Sequence, residues 1–314
     1  MNALYLPARA KLNLVLRVVG RRADGYHLLE TLYHALDLHD DVWLEPADGM
    51  HLAVTADEPG CAVGAGPDNL VCRALAAIVA ASPARGFRAH LHKRIPHGGG
   101  LGGGSSDAAA ALRLANALLP APLPMARLHE IGSRLGADVP FFLAGGSQWG
   151  RGIGDELTLA VVPAMHFVLV VPPFPCPTAE VYKNHAAARI PGARWNGGAP
   201  QDTVAAVTVP TTRDSAVRFG FTNDLEPAAE RVRPALAALR QRVADLGHCH
   251  VAMTGSGSTL FVACADAAAA RRCEQDLAVL RAEGVRLIPT RSGEDGGGDV
   301  PQLRPWPKPG SLGG

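Results

Sequence analysis

Pro96-His97-Gly98-Gly99-Gly100-Leu101-Gly102-Gly103-Gly104-Ser105-Ser106 is the stretch on which the fold turns. Six of the seven residues 98–104 are glycine, so backbone N–H groups can close on an anion with no Cβ in the way. Upstream, residues 86–95 alternate, with Phe87, Ala89, Leu91 and Ile95 on one side; this predicts a strand that Pro96 stops. Downstream, Ala108 to Leu119 carries a helical pattern, whose free N-terminal N–H groups and positive dipole end would face the same anion. Strand, glycine loop and helix in that order predict either a phosphate cradle or a hinge before a capped helix. The glycine density favours the cradle. No G-x-x-x-x-G-K-[ST] is present, so this is not a Walker loop. A dinucleotide fingerprint forced onto Gly98–Gly103 lacks the partnering acid about 20 residues on.

Toward the N-terminus, Ala10, Leu12, Leu14, Leu16 and Val18 alternate with Lys11, Asn13 and Arg17, which predicts a half-buried strand. Lys11 and Asn13 then point the same way, onto either a solvated face or a cleft. Asp24-Gly25 is a turn, and Tyr26-His27 follows it. Asp68 is the expected N-cap of a helix over Leu70–Ala81. On the other side, Pro120 to Pro124 is a linker and Met125–Leu135 a helix. Asp138, in Gly136-Ala137-Asp138-Val139-Pro140-Phe141-Phe142, fits two roles. It can cap a helix that starts at the proline, or serve as a base beside two bulky rings.

Further on, Phe167–Val171 is an apolar strand, and Ala186 to Phe221 reads as a surface excursion. A helix is expected over Pro227–Leu246, then a strand to Met253. Thr254-Gly255-Ser256-Gly257-Ser258-Thr259 is a turn or a wall beside a ligand. A strand at Leu260–Cys264, a helix over Ala267–Ala282 and a strand at Val285–Ile288 close a compact α+β unit. Between Ser292 and Gly314, 11 of 23 residues are Gly or Pro, which predicts a disordered tail. The expected division is 1–160, 161–291 and the tail 292–314.

The 314 residues hold 30 Lys+Arg against 29 Asp+Glu, a balance that attracts neither nucleic acid nor an anionic membrane. No apolar run approaches the length of a spanning helix. Six cysteines without a C-x-x-C pair read as reduced thiols in a cytoplasmic protein. His90 with His92, and His248 with His250, find no third ligand at metal spacing.

Taken in order, Ala10-Lys11-Leu12-Asn13-Leu14 with Arg22 to His27, the glycine loop through Asp107-Ala108-Ala109, the Asp138 segment and Thr254–Ser258 resemble the GHMP kinases. The resemblance spans about Leu6 to Ile288. Arg9 stands where that family has proline, and Asp107 where Asn is common. Membership would imply an α+β fold of two domains, the first like ribosomal protein S5 domain 2 and the second ferredoxin-like, with the site in the cleft between them. It would imply ATP and Mg²⁺ as cofactors, with Pro96 to Ser106 on the ATP phosphates and Ser105 or Ser106 on the metal. Lys11 would be the cation and Asp138 the proton acceptor. The Gly-Tyr-His segment resembles the members that phosphorylate the C2 hydroxyl of 4-diphosphocytidyl-2-C-methyl-D-erythritol. Asn13, Tyr26, His27, Thr178 and Tyr182 would then clasp this small-molecule substrate. Oligomeric state is not legible.

Overall fold

The computed structural model describes residues 2–187, 220–248, 250–293 and 299–307. The chain runs β1 (Asn2–Arg21), β2 (His27–Pro46), β3 (Gly49–Ala56), α1 (Leu70–Ala81), β4 (Gly86–Lys93), α2 (Gly103–Ala117), α3 (Met125–Leu135) and α4 (Val139–Ala144). It continues with β5 (Ser147–Arg151), β6 (Glu156–Leu159), β7 (His166–Val171), α5 (Thr178–Ala187), β8 (Thr222–Asn223), α6 (Glu226–Val232) and α7 (Pro234–Asp245). Then come β9 (Val251–Met253), β10 (Leu260–Cys264), α8 (Ala267–Asp276), β11 (Arg286–Arg291) and β12 (Gln302–Pro305).

Two sheets result. The larger has the order β12-β1-β2-β4-β3, with the β5–β6 hairpin attached to β2 and β8 running parallel to β1. The smaller has the order β11-β7-β10-β9 and is antiparallel throughout. Helices α1 to α4 pack on the large sheet through Val71, Ile78, Ala111, Leu114, Ile131 and Phe141. Ala10, Leu12 and Leu14 meet Phe167, Leu169 and Phe261, so the two sheets share one apolar seam. The alternation in β1 is real, but the strand is buried on both faces, with Lys11 only 3% and Asn13 only 4% exposed. The second face is covered by the glycine loop, where the Lys11 N–H donates to the Leu101 carbonyl at 3.0 Å.

Several local expectations change. Asn69, not Asp68, caps α1, its side chain accepting from the Val71 N–H. Asp107, where the family commonly has Asn, lies inside α2 with its carboxylate turned inward to Lys93. The helix expected over Pro227–Leu246 is two helices. Pro234 has no N–H to donate, and Arg233 before it leaves the helical region at φ −136°, ψ 86°. Residues 188–219, most of the excursion expected over Ala186–Phe221, lie outside the described residues.

The tail expected to be disordered is ordered over 299–307. Strand β12 pairs antiparallel with β1, from Asn2↔Pro305 to Tyr5↔Gln302. The Arg304 guanidinium lies 3.7 Å from the centroid of the Tyr5 ring and that of Arg88 4.5 Å from Trp306. Asp299 accepts from Arg9 Nε at 2.6 Å, and its carbonyl from Arg113. Glycine and proline content misleads here because backbone pairing with β1 and two charged anchors supply the order. Residues 294–298 and 308–314 lie outside the described residues. Among the described residues no helix is long and apolar enough to cross a membrane.

Candidate active site

Backbone conformation along the loop alternates. Gly98, Gly100 and Gly102 have φ of +72°, +79° and +74°, a region that side chains disfavour. Space is equally restrictive. A Cβ on Gly100 would lie 2.5 Å from the Thr254 carbonyl oxygen, and one on Gly102 2.7 Å from the Phe142 ring. The loop is thus pressed backbone to backbone against Thr254 and Gly255, and the two small-residue segments form one wall. Helix α2 starts directly from Gly102 with no side-chain cap, so its first N–H groups open onto the loop.

Beneath the loop lies a buried charge cluster. The Lys93 ammonium donates to Asp40 and, at 2.7 Å, to Asp107; all three residues are nearly inaccessible. Asp40 also accepts from the Arg94 and Ile95 N–H groups. Burial, offset by Lys93 and reinforced by Asp40, drives the Asp107 carboxyl well above the usual carboxylate range. Its Oδ1 has no partner among the described residues. Lys93 Nζ would lie 3.2 Å from a Cβ on Gly103, so the cluster ties the end of β4 to the start of α2.

On the other side of the loop, β1 delivers Lys11. Its Nζ donates to Asn13 Oδ1 at 2.5 Å and lies 3.6 Å from Asp138 Oδ2. Burial lowers the pKa of this ammonium and Asp138 only partly restores it, so Lys11 is a cation short of negative partners. Asn13 is held in turn: its Nδ2 donates to Thr31 Oγ1 at 2.8 Å and its N–H to Thr254 Oγ1 at 3.0 Å. Asp138 occupies the N-cap position of α4 but makes no capping bond. Its carboxylate turns instead to Lys11 and to the Tyr33 hydroxyl, which donates to Oδ1 at 3.1 Å.

Two clefts adjoin along the glycine loop, and the Lys11–Asp138 pair lines the larger of them. One, of about 890 Å³, is lined by Lys11, Asn13, Tyr26, His27, Asp138, Thr178 and Tyr182, among others. It therefore gathers both expected catalytic residues and every expected substrate residue. The His27 and Tyr182 rings lie 4.9 Å apart, tilted by 33°, and Thr178 Oγ1 lies 2.8 Å from Ser256 Oγ. Burial, then Asp138, raises the Tyr182 hydroxyl, which stays neutral. Tyr26 is 61% exposed at the cleft mouth. The second cleft, of about 580 Å³, is lined by Pro96, His97, Gly98 to Ser105 and, opposite them, by residues from Val63 to Leu70. Gly100, Gly102 and Ser105 line both clefts. Ser106 lines neither; it is buried and faces a smaller cavity behind α2, beside Arg9 and Arg113.

Sequence reasoning missed Tyr33, Thr31, Lys93 with Asp40, and Asn223. The Asn223 amide donates to the Met253 and Gly255 carbonyls and fixes the second loop. None of these carries a local motif.

Two family models match the chain: the GHMP kinases N terminal domain over residues 69–146 and the GHMP kinases C terminal model over 211–278. A 4-diphosphocytidyl-2-C-methyl-D-erythritol kinase of Xanthomonas campestris pv. campestris (strain B100) is 40% identical over 268 residues, covering 85% of this chain and 84% of its own. The kinase of the same name from Pelotomaculum thermopropionicum is 39% identical, covering 89% and 98%. A solved 4-(cytidine 5'-diphospho)-2C-methyl-D-erythritol kinase superposes with a TM-score of 0.71 at 36% identity, over 92% of this chain and 100% of its own. Homoserine kinase from Cytophaga hutchinsonii shares the fold, with a TM-score of 0.66 at 18% identity, over 97% and 98%.

Proposed function

The chain belongs to the GHMP kinases, and within them to the family of the 4-diphosphocytidyl-2-C-methyl-D-erythritol kinases; from this we propose that it moves the γ-phosphoryl group of ATP onto the C2 hydroxyl of that alcohol. The step belongs to the non-mevalonate route to isoprenoid precursors. The observation that carries the reading is the Lys11–Asp138 pair, which lines the larger of two clefts that share Gly100, Gly102 and Ser105 as a common wall.

ATP lies in the cleft between the glycine loop and residues 63–70, with its phosphates on the loop N–H groups and the open start of α2. The cytidyl alcohol fills the larger cleft. Its base packs by His27 and Tyr182 with Tyr26 at the mouth, and its polyol end reaches Asn13 and Asp138. A bond forms between the C2 oxygen and the γ-phosphorus as the bond from that phosphorus to the β-bridging oxygen breaks. ADP leaves, and the hydroxyl proton passes to the Asp138 carboxylate. Lys11, poor in negative partners, stabilises charge on the transferring group. Thr178 and Ser256 brace the far wall.

The donors fit Mg²⁺ brought in by the phosphates. The Ser105 hydroxyl is a hard oxygen on the wall common to both clefts, and a phosphate-held Mg²⁺ needs few protein ligands. When bound, it would supply positive charge to offset that of the phosphates. Such chemistry belongs in the cytoplasm, with a small molecule as the partner.

The test is ADP release from MgATP with the cytidyl alcohol, homoserine or mevalonate as acceptor. Turnover is expected with the first alone. Comparable turnover with either of the others would overturn the substrate and leave a general GHMP kinase.

A further inference from the structure

Tyr33 lies on β2, outside every motif of the sequence, yet four features converge on its ring. Phe141 stacks on it at 4.8 Å and 25°. Gly150, on β5, has no side chain where a Cβ would come within 2.7 Å of the ring. Gly154, in the β5–β6 turn at φ +106°, leaves the space into which the hydroxyl projects; a Cβ there would lie 2.4 Å from that oxygen. The fourth feature is the hydroxyl bond itself, donated to Asp138 Oδ1 at 3.1 Å. Asp138 and Phe141 sit three residues apart at the start of α4, so one short helix carries both the carboxylate and the ring's partner.

A core tyrosine needs no such slot. Phenylalanine would fill the same apolar space, and the hydroxyl has been given room and one acceptor. Burial, then Asp138, raises Tyr33 well above its ordinary value, so it remains a neutral donor at any working pH. The two carboxylate oxygens of Asp138 are therefore unequal. Oδ1 is occupied by the phenol, and Oδ2, 3.6 Å from Lys11 Nζ, faces the side where the cation would meet phosphate.

We propose that Tyr33 is a positioning residue for phosphoryl transfer: its hydroxyl pins Asp138 Oδ1 and leaves Oδ2 to take the proton of the attacking alcohol. This rests on the function proposed above. It also accounts for the absence of a capping bond by Asp138, whose carboxylate is held away from the helix it begins.

The experiment is a double-mutant cycle on the full chain: wild type, Tyr33→Phe, Asp138→Asn and the double variant. Each is followed by ADP release and single-turnover phosphoryl transfer, with thermal unfolding alongside. Tyr33→Phe is expected to lower kcat about ten- to a hundred-fold, the range for losing a hydrogen bond to a charged group, with KM for both substrates within about two-fold. In the Asp138→Asn background the same substitution should change the rate less than about two-fold, because the group it acts through is gone. An equal loss in both backgrounds, or an unchanged kcat, would overturn the inference and leave Tyr33 a packing residue. A wild type inert toward the cytidyl alcohol would overturn the proposed function itself, and Tyr33 with it.

Discussion

Asp138 shows how little a residue's neighbours in sequence decide its work. A carboxylate two residues before a proline at a helix start is a good cap on local grounds. Here the carboxylate is drawn off by Lys11 and Tyr33, which come from two other strands. Asp138→Asn should therefore keep the fold while lowering kcat on the order of 10²–10⁴-fold, the usual worth of a positioned base. Turnover near that of wild type, at an unchanged melting temperature, would remove Asp138 as proton acceptor. His34 gives a prediction of a different kind. Its imidazole is buried between Ser147 Oγ at 2.9 Å and Ser292 Oγ at 2.8 Å, and burial lowers its pKa from 6.5 to about 4. Above pH 6.5 neither state binds this proton. Between there and about pH 4 the unfolded chain takes it up and the fold does not, so stability falls as pH falls, by up to about 3 kcal/mol. Urea unfolding at a series of pH values should show this slope in wild type and a flatter one in His34→Gln. Parallel slopes would mean that His34 is not held neutral.

At the scale of elements, the glycine loop was legible because strand, glycines and helix are contiguous. What each glycine does was not, since the atoms it must avoid lie on other elements: Thr254, some 150 residues on, for Gly100 and Phe142, forty residues on, for Gly102. Two substitutions separate the cases. Gly100→Ala meets both a positive φ and the Thr254 carbonyl, so it should weaken ATP binding and cost about 1–3 kcal/mol of stability. Gly104→Ala lies within α2, where a Cβ would touch only Leu70 at 3.5 Å. It should hold or raise stability, by up to about 1 kcal/mol. Calorimetry with ATP and thermal unfolding decide it; if Gly100→Ala behaves like Gly104→Ala, the loop is a hinge. The Lys93 cluster lay beyond reading for the same reason. Asp40, Lys93 and Asp107 come from β2, β4 and α2, and none of them sits in a spacing that betrays the others. By contrast, the break before Pro234 was legible, and reading a continuous helix through it ignored the missing N–H.

Across the whole molecule, a residue that departs from the expected motif finds its partner in the segment expected to be disordered. Arg9, where the resemblance expects proline, grips Asp299 in the predicted tail. The guanidinium and the carboxylate are each about four-fifths shielded, and β12 covers an edge of β1 that would otherwise stand unpaired. Ending the chain after Gly298 should therefore lower the melting temperature by several degrees, the scale of a loss of a few kcal/mol. Asp299→Asn, which keeps the strand, should lower it less. An unaltered melting temperature on truncation would make the pairing incidental.

Strand β1 is made before every element it pairs with, and it carries Lys11 and Asn13. Its neighbours arrive over the whole course of synthesis. Residues of β2 follow at once, and Leu101 accepts from Lys11 some ninety residues later. Thr254 accepts from Asn13 after about 240, and β12 closes the last edge some 300 residues after β1 began. At roughly 5–20 residues per second, that edge waits on the order of 15–60 s on the ribosome with its backbone groups unpaired. A nascent chain stalled before Thr254 holds the lysine and the aspartate but lacks the wall they work against. Contacts so distant in sequence also make for slow closure, so the fold relies on β1 staying soluble until β12 emerges.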